Sequence, residues 1–391
     1  MLEIDFEYRL NGFTLTPALT AERGVTALYG PSGAGKSLTL LCLVGLRRPE
    51  RGWIRLNGRT LFDAEAGTHM APHLRRMALV FQEYALFPHM TVARNLAYGL
   101  RGIGRADVRD RLDAMLRLLR LEAFGDRYPG ELSGGQRQRV ALGRGLIVQP
   151  ELLLLDEPFS ALDQMERERL RGEVLELLQG FGGSTILVTH NLQEAYLMAG
   201  QIAVIDGGRI LQSGPRDEVL QRPRDRRVAE HVGATNIFGG SVTRDDSGSS
   251  VIAWHGEQLA FAGTLPPTGS GVEFCIRPEH VRLVWPERRA ERANVLHGQI
   301  TAEVERGTDY LLWFRADGPA ARAGEIVINC SEHLHYLMKI QVGKRLWISL
   351  PPDKLHVLIP VSAEGTAAEV AETRRQMGAN ITLSPSSRRQ L

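Results

Sequence analysis

Gly30-Pro31-Ser32-Gly33-Ala34-Gly35-Lys36-Ser37 is the stretch whose residue types and spacing could do chemistry unaided. It satisfies G-x-x-x-x-G-K-[ST] at every fixed position. Its glycines let main-chain N–H groups turn inward around phosphates with no Cβ in the way. A helix opening at this point would aim its positive end at the same anions. Lys36 is placed to reach β- and γ-phosphates, and Ser37 to ligate Mg²⁺. The expected ligand is a nucleoside triphosphate.

Four other places carry polar groups, three of them at the ends of apolar runs. Asp156 and Glu157 close Leu152–Leu155, and His190 closes the β-rich Ser184–Thr189. Gln82 follows Met77–Phe81. Leu132-Ser133-Gly134-Gly135-Gln136 joins a good N-cap to two glycines whose amides no side chain covers.

Positioning these groups requires a particular set of elements. Val25–Tyr29 reads as a buried strand and Leu38–Val44 as an apolar helix, the context that a phosphate loop needs. Carboxylates at the end of an all-apolar strand emerge at the C-terminal edge of a parallel sheet, where ligands bind. Leu2, Ile4, Phe6 and Tyr8 alternate with charged residues as a half-wet strand, and Gly12–Leu19 reads as a second. Asn57-Gly58 marks a hairpin between Trp53–Leu56 and Arg59–Phe62, and Gly207-Gly208 marks another within Gln201–Leu211. Val108, Leu112, Met115, Leu116 and Leu119 form one apolar helical stripe in an insert between two halves of the sheet. A helix is expected over Arg137–Val148, and another from Ser160-Ala161-Leu162-Asp163 to about Gln179. Gly143 and Gly145, inside the former, have no account beyond close packing.

Beyond about residue 235 the chain turns to short strand-like runs separated by Gly and Pro. Asn236-Ile237-Phe238-Gly239-Gly240-Ser241-Val242 parallels Asn294-Val295-Leu296-His297-Gly298-Gln299-Ile300, a weak repeat expected to mark duplicated barrel-like units. The fold class expected is an α/β P-loop cassette with a helical insert, followed by an all-β domain of small barrel-like units. The expected boundaries are 1–235 (helical insert about 83–148), 236–360 (units 236–290 and 291–360), and a disordered tail over 361–391.

The 391 residues carry a formal charge of +2, which offers no global field for nucleic acid. Cys42, Cys275 and Cys330 have no metal or redox spacing, as in a reducing compartment. No apolar run approaches the ~20 residues of a spanning helix, and the acidic start Met-Leu-Glu-Ile-Asp lacks a signal-peptide pattern.

Taken together and in order, these motifs resemble the ATP-binding-cassette ATPases over residues 1 to about 235. The resemblance implies that residues 30–37 bind ATP, with Ser37, Gln82 and Asp156 on Mg²⁺. Glu157 would polarise the attacking water, and His190 would contact the γ-phosphate. It further implies that Lys36, Glu157 and His190 form the catalytic set. Ser133, Gly134, Gly135 and Gln136 would close the nucleotide site of a second copy, and Ser160–Asp163 would cross that interface. Phe13 and Tyr8 are candidates for stacking on adenine. The implied assembly is a homodimer on the cytoplasmic face of the membrane, bound to permease subunits and served by a periplasmic or extracellular solute-binding protein.

Ile276-Arg277-Pro278-Glu279-His280-Val281 resembles a strand-turn of the β regulatory domain of importer ATPases. Leu56-Asn57-Gly58-Arg59, Arg75-Arg76, Leu86-Phe87-Pro88-His89 and Arg94–Gly99 look most like molybdate and tungstate importers, and sulfate, iron and polyamine importers share much of this pattern. The second β unit resembles a small molybdate-binding fold but begins Glu291-Arg292-Ala293-Asn294, so a structural role stands beside oxyanion binding. An oxyanion-sensing binding protein and a non-transport cassette ATPase are the rival classes. Tyr84, Leu86 and Phe87 are expected to be exposed, lining a groove for a permease helix.

Overall fold

The computed structural model describes residues 1–100, 104–160 and 164–358. Residues up to Val219 form one compact unit, and the described residues from Leu220 form a second. The tail expected over 361–391, and Ala161, Leu162 and Asp163, lie outside the described residues.

In the first unit the N-terminal alternation builds an antiparallel sheet from β1 (Leu2–Leu10), β2 (Phe13–Leu15) and β3 (Ala18–Ala21). The single strand expected over Gly12–Leu19 is two strands. Pro17 has no N–H to give a ladder, so the chain breaks there and both pieces pair with β1. β4 (Gly24–Tyr29) leads through the glycine loop to α1 (Lys36–Val44). β5 (Arg51–Leu56) and β6 (Arg59–Asp63) turn at Asn57 and Gly58, whose φ values of 50° and 77° are those of a tight primed turn. With β7 (Thr68–His69) the strand order is β2-β1-β5-β6-β7, β3 also pairing with β1.

The central sheet follows. β8 (Met77–Val80) precedes the insert of α2 (Val92–Ala97), α3 (Arg105–Leu118) and α4 (Gly134–Leu146). Then come β9 (Leu152–Asp156), α5 (Gln164–Phe181), β10 (Ser184–Thr189), α6 (Leu192–Met198), β11 (Gln201–Asp206) and β12 (Arg209–Pro215). The order is β12-β11-β4-β10-β9-β8, parallel except for β12. Tyr29 is in register with Thr189, and Val188 with Asp156, so β4, β10 and β9 end side by side.

Period-two alternation in β9 joins two cores. Leu152 and Leu154 pack with α1 and the antiparallel sheet, while Leu153 and Leu155 pack with α4 and α5. All four are fully buried, each contributing about 1.5–3 kcal/mol by its removal from water. The insert has its own core of Val92, Leu96, Leu116, Leu119, Val140 and Ile147, with the stripe residues Val108, Leu112 and Met115 against it. Gly143 permits this packing, since a Cβ there would sit 2.3 Å from Leu119 and 2.9 Å from Leu96. α4 starts earlier than its expected Arg137 because Ser133 and Gln136 form a reciprocal capping box that already fixes its first turn.

The division falls within α7 (Arg216–Gln221); in the second unit α8 (Arg226–His231) precedes β13 (Asn236–Arg244), β14 (Ser250–Trp254), β15 (Glu257–Ala260), β16 (Gly271–Ile276) and β17 (Arg282–Val284). β18 (Val295–Glu305), β19 (Asp309–Ala316), β20 (Glu325–Ser331), α9 (Glu332–Leu337), β21 (Arg345–Ser349) and β22 (His356–Leu358) follow. Two five-stranded sheets result, ordered β15-β14-β13-β16-β22 and β20-β19-β18-β21-β17. The orders correspond strand for strand, and two pairings cross position 290: the late β22 joins the early sheet, and the early β17 joins the late one. Phe238, Trp254 and Phe274 of one sheet share a core with Leu312, Phe314 and Ile348 of the other.

The repeated residues do equivalent work. The Asn236 amide makes a two-way clamp on the Val327 backbone at 2.8 and 2.7 Å, and Asn294 makes the same clamp on Ala260 at 2.8 and 2.7 Å. Val327 and Ala260 lie on β20 and β15, the corresponding strands of the opposite halves. A Cβ on Gly240 would lie 2.9 Å from the Ala253 carbonyl, and one on Gly298 would lie 2.1 Å from that of Arg315.

Candidate functional site

β4 delivers the glycine loop and α1 receives it. Gly33 and Gly35 take left-handed φ values of 81° and 98°, which L side chains resist. Gly35 is also the N-cap of α1, and a Cβ on it would sit 2.9 Å from Leu15. Gly30 runs so close to β11 that a Cβ would sit 2.0 Å from the Ile205 carbonyl. Pro31, Ser32 and Ala34 complete the turn.

Lys36 is 5% exposed and donates to the Gly30 and Pro31 carbonyls at 2.9 and 2.8 Å. Its ammonium lies 3.9 Å from Glu157. Burial pulls the Lys36 pKa down, against the charges of Glu157 and Asp156. The Ser37 hydroxyl donates to Asp156 at 2.9 Å. Burial pushes the Asp156 carboxyl up, despite that bond, and the neighbouring Glu157 adds to the rise. Asp156 is therefore a desolvated carboxylate short of positive charge.

Glu157 holds a left-handed φ of 44°, uncommon for a residue with a side chain. Its N–H donates to the Val188 carbonyl at 3.0 Å, and its own carbonyl accepts from the Ser160 hydroxyl at 3.0 Å. Its carboxylate lies 3.0 Å from His190 Nδ1, whose ring is about half exposed. Lys36, Ser37, Asp156, Glu157 and His190 are thus one connected cluster at the shared edge of β4, β9 and β10.

The other expected residues lie elsewhere. Gln82 is exposed after β8 and lines a cleft of about 480 Å³ with Glu83, Tyr84, Arg137 and Ser160. Ser133, Gly134, Gly135 and Gln136 form the first turn of α4, where the Gly135 N–H donates to Glu166 at 3.0 Å. Phe13 packs beside Gly35, 3.3 Å from the position of an added Cβ, whereas Tyr8 is buried in the antiparallel core. The expected exposure of Tyr84 is corrected. It is 7% exposed and packs with α4 and β8, its backbone turned inward at φ 61°. Phe87 is half-buried against Tyr98, under the Arg144 guanidinium.

Two supports had little sequence signal. Thr189 donates to Glu194 at 2.6 Å, and Glu194 lies 3.8 Å from Arg171, so a buried polar network fixes the backbone beside His190. Asn191-x-x-Glu194 has the spacing of a capping box, which could have marked it. Arg75, fully buried, donates to the Met70, Cys42 and Leu43 carbonyls and holds the far end of α1.

Among the described residues no helix is long and apolar enough to cross a membrane, and no group of three or more His, Cys, Asp or Glu is placed to hold a metal alone.

Residues 18–160 match a family model described as ABC transporter, and residues 274–358 match one described as TOBE domain. A molybdenum import ATP-binding protein of Paramagnetospirillum magneticum is 36% identical over 375 residues, covering 95% of this chain and 100% of that protein. A spermidine/putrescine import ATP-binding protein of Pseudomonas fluorescens is 37% identical over 351 residues, covering 87% and 92%. The structure of CbiO1 from Clostridium perfringens, part of an ABC transporter complex, superposes with a TM-score of 0.50 at 27% identity, covering 56% of this chain and 89% of that one.

Proposed function

The chain belongs to the ABC transporter family as an importer-type ATPase that binds and hydrolyses ATP, and from that premise we propose that it energises molybdate or tungstate uptake as a homodimer on the cytoplasmic face of the membrane, bound to a separate permease. The observation that carries the mechanism is the cluster Lys36–Ser37–Asp156–Glu157–His190 at one sheet edge, with the Ser133–Gln136 turn outside it.

The loop amides and the positive end of α1 receive the phosphates. Lys36 exchanges the carbonyls of Gly30 and Pro31 for β- and γ-phosphate oxygens, its charge kept by Glu157 and Asp156. Glu157 accepts a proton from the attacking water, and His190, bonded to Glu157, orients that water and touches the γ-phosphate. Ser37 and Asp156 form an oxygen donor pair that suits a hard divalent cation keeping waters and phosphate oxygens, and the charge-starved Asp156 fits one. Gln82 is the third residue assigned to it. A Mg²⁺ ion held by these residues would neutralise charge on the transferring phosphoryl group. Ser133, Gly134, Gly135 and Gln136 of one copy close the γ-phosphate site of the other.

The solute assignment is supported by 36% identity over the whole length of the molybdenum importer relative. Polyamine is the second reading, favoured by 37% identity to the spermidine/putrescine relative. Cells lacking this protein should lose uptake of labelled molybdate and regain it with wild type but not Glu157→Gln. Loss of putrescine uptake with molybdate uptake intact would replace the first reading by the second.

A further inference from the structure

Gly135 belongs to the turn assigned to close the other copy's nucleotide site, yet its N–H already has an anion on it. Glu166 Oε1 accepts that N–H at 3.0 Å. The neighbouring donors of the turn are satisfied from within. The Ser133 N–H gives to the Gln136 side chain at 2.9 Å, and the Gln136 N–H gives to the Ser133 hydroxyl at 3.3 Å. Of these three amides, Gly135 is the one answered from another helix.

α5 presents the carboxylate. Leu170 is fully buried and fixes that helix against the core, and Glu166 lies one turn earlier on the same face. A Cβ on Gly135 would sit 2.6 Å from Glu166 Oε1 and 2.8 Å from Leu170, so glycine is what lets the two helices come this close. Glu166 itself is half-buried, and the positive end of α4 favours its charge. That charge also reaches the Tyr84 phenol of the Gln82 cleft: burial raises the phenol's pKa, Arg137 lowers it and Glu166 raises it.

One N–H cannot serve a carboxylate and a phosphate together, and two anions about 4 Å apart repel. A half-buried carboxylate meets water once released, so its displacement costs one charge-assisted hydrogen bond and little more. We infer that Glu166 is a resident stand-in for phosphate: it holds the Gly135 amide while the turn is unliganded and yields it to the γ-phosphate of the other copy's ATP. Glu166 thereby sets the ATP concentration at which two copies close, and restrains hydrolysis below it. This role rests on the two-copy nucleotide site proposed above.

The test is the ATP dependence of closure in the full chain carrying Glu157→Gln. Closure is read as the distance between spin labels on the phosphate-loop side of one copy and on α4 of the other, both placed outside the Ser133–Gln136 turn. Glu166→Ala should lower the ATP concentration for half-closure roughly tenfold or more, the loss of one charge-assisted hydrogen bond. Glu166→Gln keeps an oxygen acceptor without the charge and should lower it roughly threefold, since a neutral bond is about half as strong. With Glu157 intact, both substitutions should raise hydrolysis at limiting ATP. Fluorescent ADP at each copy's own phosphate loop should keep its affinity, which also reports that the variants fold; should Glu166→Ala not bind it, Glu166→Gln decides. A purely structural Glu166 would lower Tm and leave the midpoint of closure where it is. A midpoint unmoved or raised, with ADP affinity intact, would therefore overturn the role of Glu166 and leave the two-copy site standing. No shortening at saturating ATP with Glu166 in place would instead remove the two-copy site, and this role with it.

Discussion

Arg75 is the residue to perturb first, because it ties the phosphate-loop helix to its surroundings without touching nucleotide chemistry. Its guanidinium is fully buried and donates to Met70 at 2.9 Å, Cys42 at 3.1 Å and Leu43 at 2.6 Å. The last two are carbonyls at the C-terminal end of α1, where a cation also meets the negative end of the helix dipole. Gly45 leaves room for it, since a Cβ there would sit 2.8 Å from the guanidinium. Arg75→Met keeps the apolar stem and removes every donor. Cys42 retains a bond from the Gly45 N–H, so the Leu43 and Met70 carbonyls bear the main loss. Unsatisfied buried carbonyls cost about 1–3 kcal/mol each. Relief from desolvating the guanidinium, whose pKa burial already lowers, offsets part of this. The net expectation is a loss of about 3 kcal/mol, which for a unit this size lowers Tm by roughly 6–12 °C. Scanning calorimetry of the full chain measures it on the transition that ATP shifts. Arg75→Lys should recover less than half, because one ammonium cannot satisfy this fork of acceptors. A Tm within about 2 °C of wild type for Arg75→Met would refute the reasoning that these bonds anchor the helix.

Two further substitutions address the site itself. Lys36→Ala should abolish ATP hydrolysis and greatly weaken ATP binding while the protein stays folded, because Lys36 hydrogen-bonds to its own loop's carbonyls and pairs with the site carboxylate Glu157; turnover at the wild-type rate would remove the phosphate-loop assignment. Glu157→Gln should slow hydrolysis roughly a hundredfold or more while ATP still binds, and spin labels near Ser32 of one copy and Gln136 of the other should then approach on adding ATP; no shortening of that distance would sink the two-copy site.

What could be read from the chain divides along a physical line. Asp156, Glu157 and His190 were legible because each follows an apolar run, Lys36 and Ser37 because they complete the glycine-loop pattern, and a parallel sheet brings such strand ends to one edge. Lys36, Asp156, Glu157 and His190 lie together there. The left-handed φ of Glu157 was not legible, because the Val188 and Ser160 bonds that hold it come from separate segments. Tyr84 reads as surface from its polar neighbours, yet two successive left-handed residues, Tyr84 and Ala85, turn its ring inward. Gly143 gave no local signal, since its reason is a leucine of another helix. The repeat led by Asn236 and Asn294 was visible in sequence, but the backbones those amides clamp lie on the opposite half.

The exchange of β17 and β22 has a historical and practical consequence. Each half of the C-terminal unit gives its final strand to the other, which is the arrangement two separate copies of one ancestral gene product would reach by trading strands before fusion into a single reading frame. A polypeptide cut between residues 290 and 291 would leave each fragment with an unpaired sheet edge and half of the shared core, so neither should be soluble alone. Expressed together the fragments should reassemble, which makes that junction a place to split the protein into a complementation reporter. Fusing the halves in reverse order should also be tolerated once a linker spans the new ends.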